Sequence, residues 1–189
     1  MDKRWEQHKG INKQYLMKSQ IKPPDDAKQR AEEMVYDEDV IRIFVDASEL
    51  KFQGIFGIAV CFVGQGEVKV KSKKQYNQSK KRQIIFAELS AIVFALEQII
   101  TMYKEECKIP PEIIIYSDLT LLDQLSGTCN LTKNRSINLI VNEIRNLCIE
   151  FLKYHPGINL QIQTMKKGLK RHNPYYKAAH NAARKIIGY

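Results

Sequence analysis

Hydrophobic and polar positions follow three successive patterns along the 189 residues. Up to residue 39 the chain is polar, mixed in charge and broken by Pro23-Pro24, with one helical pattern in DDAKQRAEEMVYDED, residues 25–39. Residues 1–39 therefore read as an N-terminal extension, either a weakly ordered tail or a helix docked through Met34, Val35 and Tyr36. From Val40 the period becomes that of strands. Ile41 to Asp46, Gly57 to Val63, the Gly64-Gln65-Gly66 turn and the alternating EVKVKSKKQY predict three hairpin-connected strands. FAELSAIVFALEQIITMYKEE, residues 86–106, switches to helical spacing, and Pro110-Pro111 stops it. EIIIYSD, residues 112–118, predicts a strand buried on both faces. Next come a short helix in LTLLDQLSG (119–127) and a longer one in SINLIVNEIRNLCIEFLKY (136–154). The chain closes with a strand in INLQIQTM, a basic loop KKGLKRHNP and a helix in YYKAAHNAARKII (175–187). The order β-β-β-α-β-α-α-β-α predicts an α/β domain over residues 40–189, a mixed sheet with helices packed on it.

Composition narrows this picture. With 44% hydrophobic and 27% charged residues the chain suits one domain with a real core, and no window is read as approaching the roughly 18 apolar residues of a membrane span. The opening MDKRWEQHKG leads into no apolar stretch, so neither a secretory signal nor a membrane partner is expected. Cys61, Cys107, Cys129 and Cys148 lie far apart, with no C-x-x-C pair and no histidine at zinc-finger spacing. Buried thiols in a reducing cytoplasm fit better than disulfides or structural zinc. The net charge of +9 is uneven: residues 1–40 hold eight Lys/Arg against nine Asp/Glu, and the rest hold 22 against 12. The positive field belongs to the main body, as a polyanionic partner requires and as a basic surface kept for solubility also allows.

Three acids stand where a core should not carry them. Asp46 ends the first strand-like run and Asp118 ends the strand after the long helix, and ligands of α/β sheets bind outside the carboxyl ends of strands. Glu88 shares a helical face with Ile92, Ala95, Leu96 and Ile99, so it points toward the sheet, whereas Glu97 lies half a turn round and faces water. Each acid has a separate structural explanation: a turn for Asp46, the helix dipole for Glu88, an N-cap for Asp118. Jointly, three inward carboxylates cost several kcal/mol each unless a cation is shared, and hard oxygen ligands favour magnesium or manganese over zinc.

FVDAS with Gly54 and Gly57 after it, AELSAIVFALE, IIIYSD and the terminal AHNAAR together resemble the signature segments of type 1 ribonuclease H, over residues 41–187. The resemblance implies a ribonuclease H-like fold: a five-stranded mixed sheet of order 3-2-1-4-5 whose first and fourth strands are parallel neighbours. It implies endonucleolytic hydrolysis of the RNA strand of RNA/DNA hybrids with two Mg2+ ions, Mn2+ being possible in their place. Asp46 would bridge both ions, and Glu88 and Asp118 would complete one each.

The resemblance departs in the last helix, where the family's N-x-x-A-D corresponds to Tyr176-Lys177-Ala178-Ala179-His180. His180 would be the fourth metal-site residue or a core-capping helix residue, with Asn181 the second choice. His172 in the basic loop matches a loop histidine of the family or is a plain surface histidine. Ser48, after Ala47 in place of the usual glycine, would meet the 2′-hydroxyls that distinguish RNA. Lys73, Lys74, Lys80 and Lys81 on one side, with Lys167, Lys170 and Arg171 on the other, would follow phosphates, although alternating lysines also guard an edge strand. The alternative function is a nucleic-acid-binding protein on this fold with weakened catalysis. A proofreading-type exonuclease would open with D-x-E, and position 48 is serine. No protein partner is indicated, and a monomer is expected.

Overall fold

The computed structural model describes residues 23–104, 109–120, 122 and 134–189. The expectations for Cys107, Cys129 and most of the short helix at 119–127 lie outside the described residues. Among those described, β1 (Val40–Glu49), β2 (Ile55–Gly64), β3 (Glu67–Tyr76), β4 (Glu112–Ser117) and β5 (Asn159–Thr164) form one sheet of order β3-β2-β1-β4-β5. β1 runs antiparallel to β2 and parallel to β4, β2 antiparallel to β3, and β4 parallel to β5. The helices are α1 (Asp25–Tyr36), α2 (Ile84–Met102), α3 (Arg135–Tyr154), the single turn α4 (Lys167–Lys170) and α5 (Pro174–Lys185).

Strand composition decides strand position. β1, β2 and β4 are nearly continuous in apolar residues and fill the middle of the sheet, where both faces are covered. β3 and β5 are polar on one side and form the edges. The arginine inside β1, Arg42, is neutralised by Asp37, whose carboxylate oxygen lies 2.8 Å away. Strand alternation sends Ile43, Val45 and Ala47 into the main core beneath α2 and α3, and sends Phe44 into a second cluster with Cys61, Val63, Tyr175 and Ala179 beneath α5. Burial pushes the Cys61 thiol up to about 12 and that of Cys148 up to about 11, so both are inert hydrophobes at neutral pH.

The hairpin between β2 and β3 turns on Gln65 and Gly66, with φ of 53° and 79°, the left-handed pair that matches strand twist in a two-residue connection. Gly57 serves a different need. A Cβ there would lie 1.9 Å from the carbonyl oxygen of Ala183, so α5 reaches the sheet only because β2 carries no side chain at that point.

Four sequence expectations change. α2 is long and apolar enough to cross a membrane by length and composition, contrary to the reading that no window comes close. Its residues from Ala87 to Leu96 are all buried, because α2 is clamped between the sheet and α3; the apolar run serves a core. β1 does not end at Asp46 but runs three residues further, held by antiparallel pairing of Ala47, Ser48 and Glu49 to β2. The basic loop begins with a helical turn, α4. In the N-terminal extension α1 is docked: Ala31, Met34 and Val35 pack on the second cluster and the Tyr175 hydroxyl donates to the Ala31 carbonyl at 2.6 Å, but Tyr36 is 72% exposed.

Candidate active site

Register brings the two aspartates level. The last parallel pair between β1 and β4 is Phe44 with Tyr116, and Asp46 and Asp118 each lie two residues beyond it, at the carboxyl end of the sheet. Alternation puts Asp46 on the α5 side, where it is only 3% exposed. There the Tyr176 hydroxyl stands 3.1 Å from Asp46 Oδ1 and 3.3 Å from Asp118 Oδ2. A phenol has one proton, so it donates to one carboxylate at a time. His180 Nδ1 lies 3.1 Å from Asp46 Oδ2, and facing a carboxylate it is the donor in its Nδ1–H form. Burial pushes the Asp46 carboxyl above its usual range, opposed by His180 and Tyr176 and reinforced by Asp118. The Tyr176 phenol is likewise pushed up, by burial first and then by Asp46 and Asp118, so it stays protonated.

Glu88 enters from the opposite layer. It sits one turn into α2, is 6% exposed, and accepts a hydrogen bond from the backbone N–H of Ala47. Its Oε2 is buried with no hydrogen-bond partner. Burial, then Asp46, then Asp118 push the Glu88 carboxyl up to about 9. A buried carboxyl oxygen without a partner, beside two aspartates, is a donor that a shared divalent cation would satisfy.

α5 is placed to deliver Tyr176 and His180. Asn173 caps it, its side-chain oxygen accepting from the N–H groups of Tyr175 and Tyr176, and Pro174 occupies the first turn. Tyr176 and His180 are then four residues apart on one face, their rings 6.4 Å between centres. In the sequence Tyr176 appears only as a departure from a family pattern; its i, i+4 spacing to His180 is the available signal for its contact with the acids.

The basic residues divide. Lys170 reaches the acids: its Nζ lies 2.9 Å from Asp118 Oδ2 and 4.8 Å from the centre of the Tyr176 ring. His172 and Arg171 instead line a small crevice against Ala27, Arg30 and Met34 of α1. Lys167 is exposed on α4. Lys73, Lys74 and Lys80 line a groove of about 540 Å³ with Phe86, Leu139 and Ile140 between β3, α2 and α3, where Lys73 also pairs with exposed Glu97 at 3.1 Å. Lys81 is exposed beside it, and Ser48 is half-buried two residues beyond Asp46 on β1. Sequence reasoning missed Glu49, whose carboxylate accepts from the N–H groups of Gly54 and Arg82 and so ties the loop after β1 to the loop before α2.

Among the described residues, no group of three or more acid, histidine or cysteine side chains stands ready-made to hold a metal ion. The donor set nevertheless suits a hard divalent cation: two level aspartates, a buried glutamate oxygen without a partner, and no thiolate. Lys170 and Tyr176 are donors that meet these aspartates, Lys170 at Asp118 and Tyr176 at either carboxylate.

Comparison with family models returned no match, and comparison with curated proteins returned none either. Solved structures do match. LC11-RNase H1, isolated from compost by a metagenomic approach, is 18% identical over 79% of this chain and 99% of its own, with a TM-score of 0.59. The same enzyme in complex with an RNA/DNA hybrid gives 17%, 78%, 99% and 0.58. RNase H1 from the halophilic archaeon Halobacterium salinarum is 14% identical over 78% of this chain and 97% of its own, at 0.57. Likeness at this identity speaks for architecture, and with the sheet order and the level aspartates it establishes that the chain has the ribonuclease H-like fold of the type 1 enzymes.

Proposed function

We propose that the protein is a metal-dependent endoribonuclease that hydrolyses the RNA strand of RNA/DNA hybrids. The observation that carries this reading is the meeting of Asp46 and Asp118 at the carboxyl end of the sheet with Glu88, its Oε2 buried and unpartnered, beside them. The similar LC11-RNase H1 is a protein solved with an RNA/DNA hybrid, which supports the choice of substrate.

Asp46, Asp118 and Glu88 would hold two Mg2+ ions, or Mn2+, with His180 as the fourth residue. Such ions supply Lewis acidity, neutralising charge on the scissile phosphate and raising the nucleophilicity of water. The chain's own residues do the positioning. His180 donates to Asp46 Oδ2 and fixes that carboxylate, leaving Oδ1 turned to Tyr176. Tyr176 keeps a proton between the two aspartates and spaces α5 from the strand ends. Ser48 and the backbone beside it face the 2′-hydroxyls, and the lysines at 73, 74, 80 and 81 with Lys167 and Arg171 follow the phosphates.

The test is cleavage of a labelled RNA/DNA hybrid in magnesium by the protein and by Asp46→Asn and Asp118→Asn. Cleavage by the parent with loss of at least a hundred-fold in both variants is expected; equal cleavage by all three rejects the assignment. The second reading, a hybrid-binding protein without turnover, is favoured by Tyr176 and Lys170 already occupying the aspartates. It predicts tight hybrid binding and an intact RNA strand in the same assay.

A further inference from the structure

We infer that Lys170 is a tethered counter-ion of the acid cluster: it occupies Asp118 in the nucleic-acid-free protein and yields that oxygen to a divalent cation when a phosphate backbone engages the basic segment around α4. This rests on the proposed function for its polyanion and adds a role for one lysine in controlling metal occupancy.

The oxygen at issue is Asp118 Oδ2. Lys170 Nζ holds it at 2.9 Å and the Tyr176 hydroxyl reaches it at 3.3 Å, so two donors already stand where a cation would bind. Glu88 shows that the compensation is incomplete. Lys170 acts on Glu88 only as the weakest of the influences on its carboxyl, and Oε2 stays without a partner.

Lys170 is also easily moved. Its side chain is 43% exposed and that of Asp118 is 32% exposed, and ion pairs of such exposure are weak. It closes the four-residue helix α4, next to exposed Lys166, Lys167 and Arg171. A polyanion drawn to those three cations offers Lys170 a phosphate in exchange for Asp118. Divalent metal and nucleic acid then favour the same released position of the lysine, and by linkage each raises the affinity for the other by an equal factor.

The experiment is Mn2+ binding by titration calorimetry at fixed ionic strength, on the full chain and on Lys170→Gln and Lys170→Arg. Lys170→Gln binds Mn2+ about two- to five-fold tighter than the parent, the range expected from releasing a half-exposed ion pair, and Lys170→Arg matches the parent. A second arm adds a hybrid of 2′-O-methyl RNA with DNA, which resists cleavage. It tightens Mn2+ binding by a larger factor in the parent than in Lys170→Gln. Equal Mn2+ affinity in parent and Lys170→Gln, or an equal gain from the hybrid in both, overturns the inference while the proposed function stands. A parent that binds neither Mn2+ nor the hybrid overturns both.

Discussion

Replacing Glu88 by Gln reverses its effect on stability between mildly acid and alkaline solution. The Glu88 carboxyl rises from an ordinary 4.5 to about 9 in the folded protein, so between those values the native state holds a proton that the unfolded chain has released. Stability changes with pH as the protons bound by the unfolded state less those bound by the native state, which here is negative. Folding stability therefore falls by about 1.4 kcal/mol per pH unit as pH rises through that window. At pH 7.5 the accumulated cost is on the order of 4 kcal/mol. Glutamine removes this cost and still accepts from the Ala47 N–H, but its amide takes the unpartnered Oε2 position, a penalty of about 1–2 kcal/mol. The ion-free variant is thus more stable than the parent by about 2–3 kcal/mol at pH 7.5 and less stable by about 1 kcal/mol near pH 5. Urea unfolding in EDTA at pH 5, 6.5 and 8 reads both differences. Adding Mn2+ at pH 8 should raise the parent's midpoint and leave that of the variant nearly unmoved. Parallel stability curves for the two proteins from pH 5 to 8 would refute the reasoning.

Three further substitutions probe how the site is positioned. Gly57→Ala sets a methyl 1.9 Å from the Ala183 carbonyl oxygen and should displace α5, costing about 3 kcal/mol or more in thermal unfolding and abolishing hybrid cleavage. Tyr176→Phe removes the proton shared by Asp46 and Asp118 with little change of shape; hybrid turnover should drop about ten-fold at a melting temperature within a few degrees of the parent. Tyr175→Phe loses the hydroxyl bond to Ala31, and limited proteolysis should cut within α1 several times faster, as expected for about 1 kcal/mol of lost docking.

The strands and the acids were legible for a common reason: local pattern and function pull the same way there. EVKVKSKKQY alternates and is β3 over the same ten residues, and EIIIYS is the buried parallel strand that its β-branched run requires. Asp46, Asp118 and Glu88 stand out because, although each has a local explanation taken singly, three acids in apolar runs converging on one end of the sheet do not. What the sequence hid depends on long-range register. The parallel neighbours β1 and β4, which the resemblance implies, are borne out by the pairing of Phe44 with Tyr116 that sets Asp46 level with Asp118, whereas only the approach of α5 at Gly57 puts Tyr176 between them. Lys170 and His172 are two residues apart in one basic loop, and composition does not separate them. The turn α4 does, sending Lys170 to Asp118 and His172 to the crevice under α1. The membrane-like run in α2 is the converse case, a helix apolar around most of its circumference because a sheet and a second helix cover it, with Glu97 left on the solvent side.

The most direct measurement of the central claim is anomalous diffraction from crystals of the protein with the 2′-O-methyl RNA/DNA hybrid, soaked in Mn2+. A manganese peak in contact with the carboxylates of both Asp46 and Asp118 is the predicted result. Ordered carboxylates with no peak between them, and Lys170 still seated on Asp118, would contradict it.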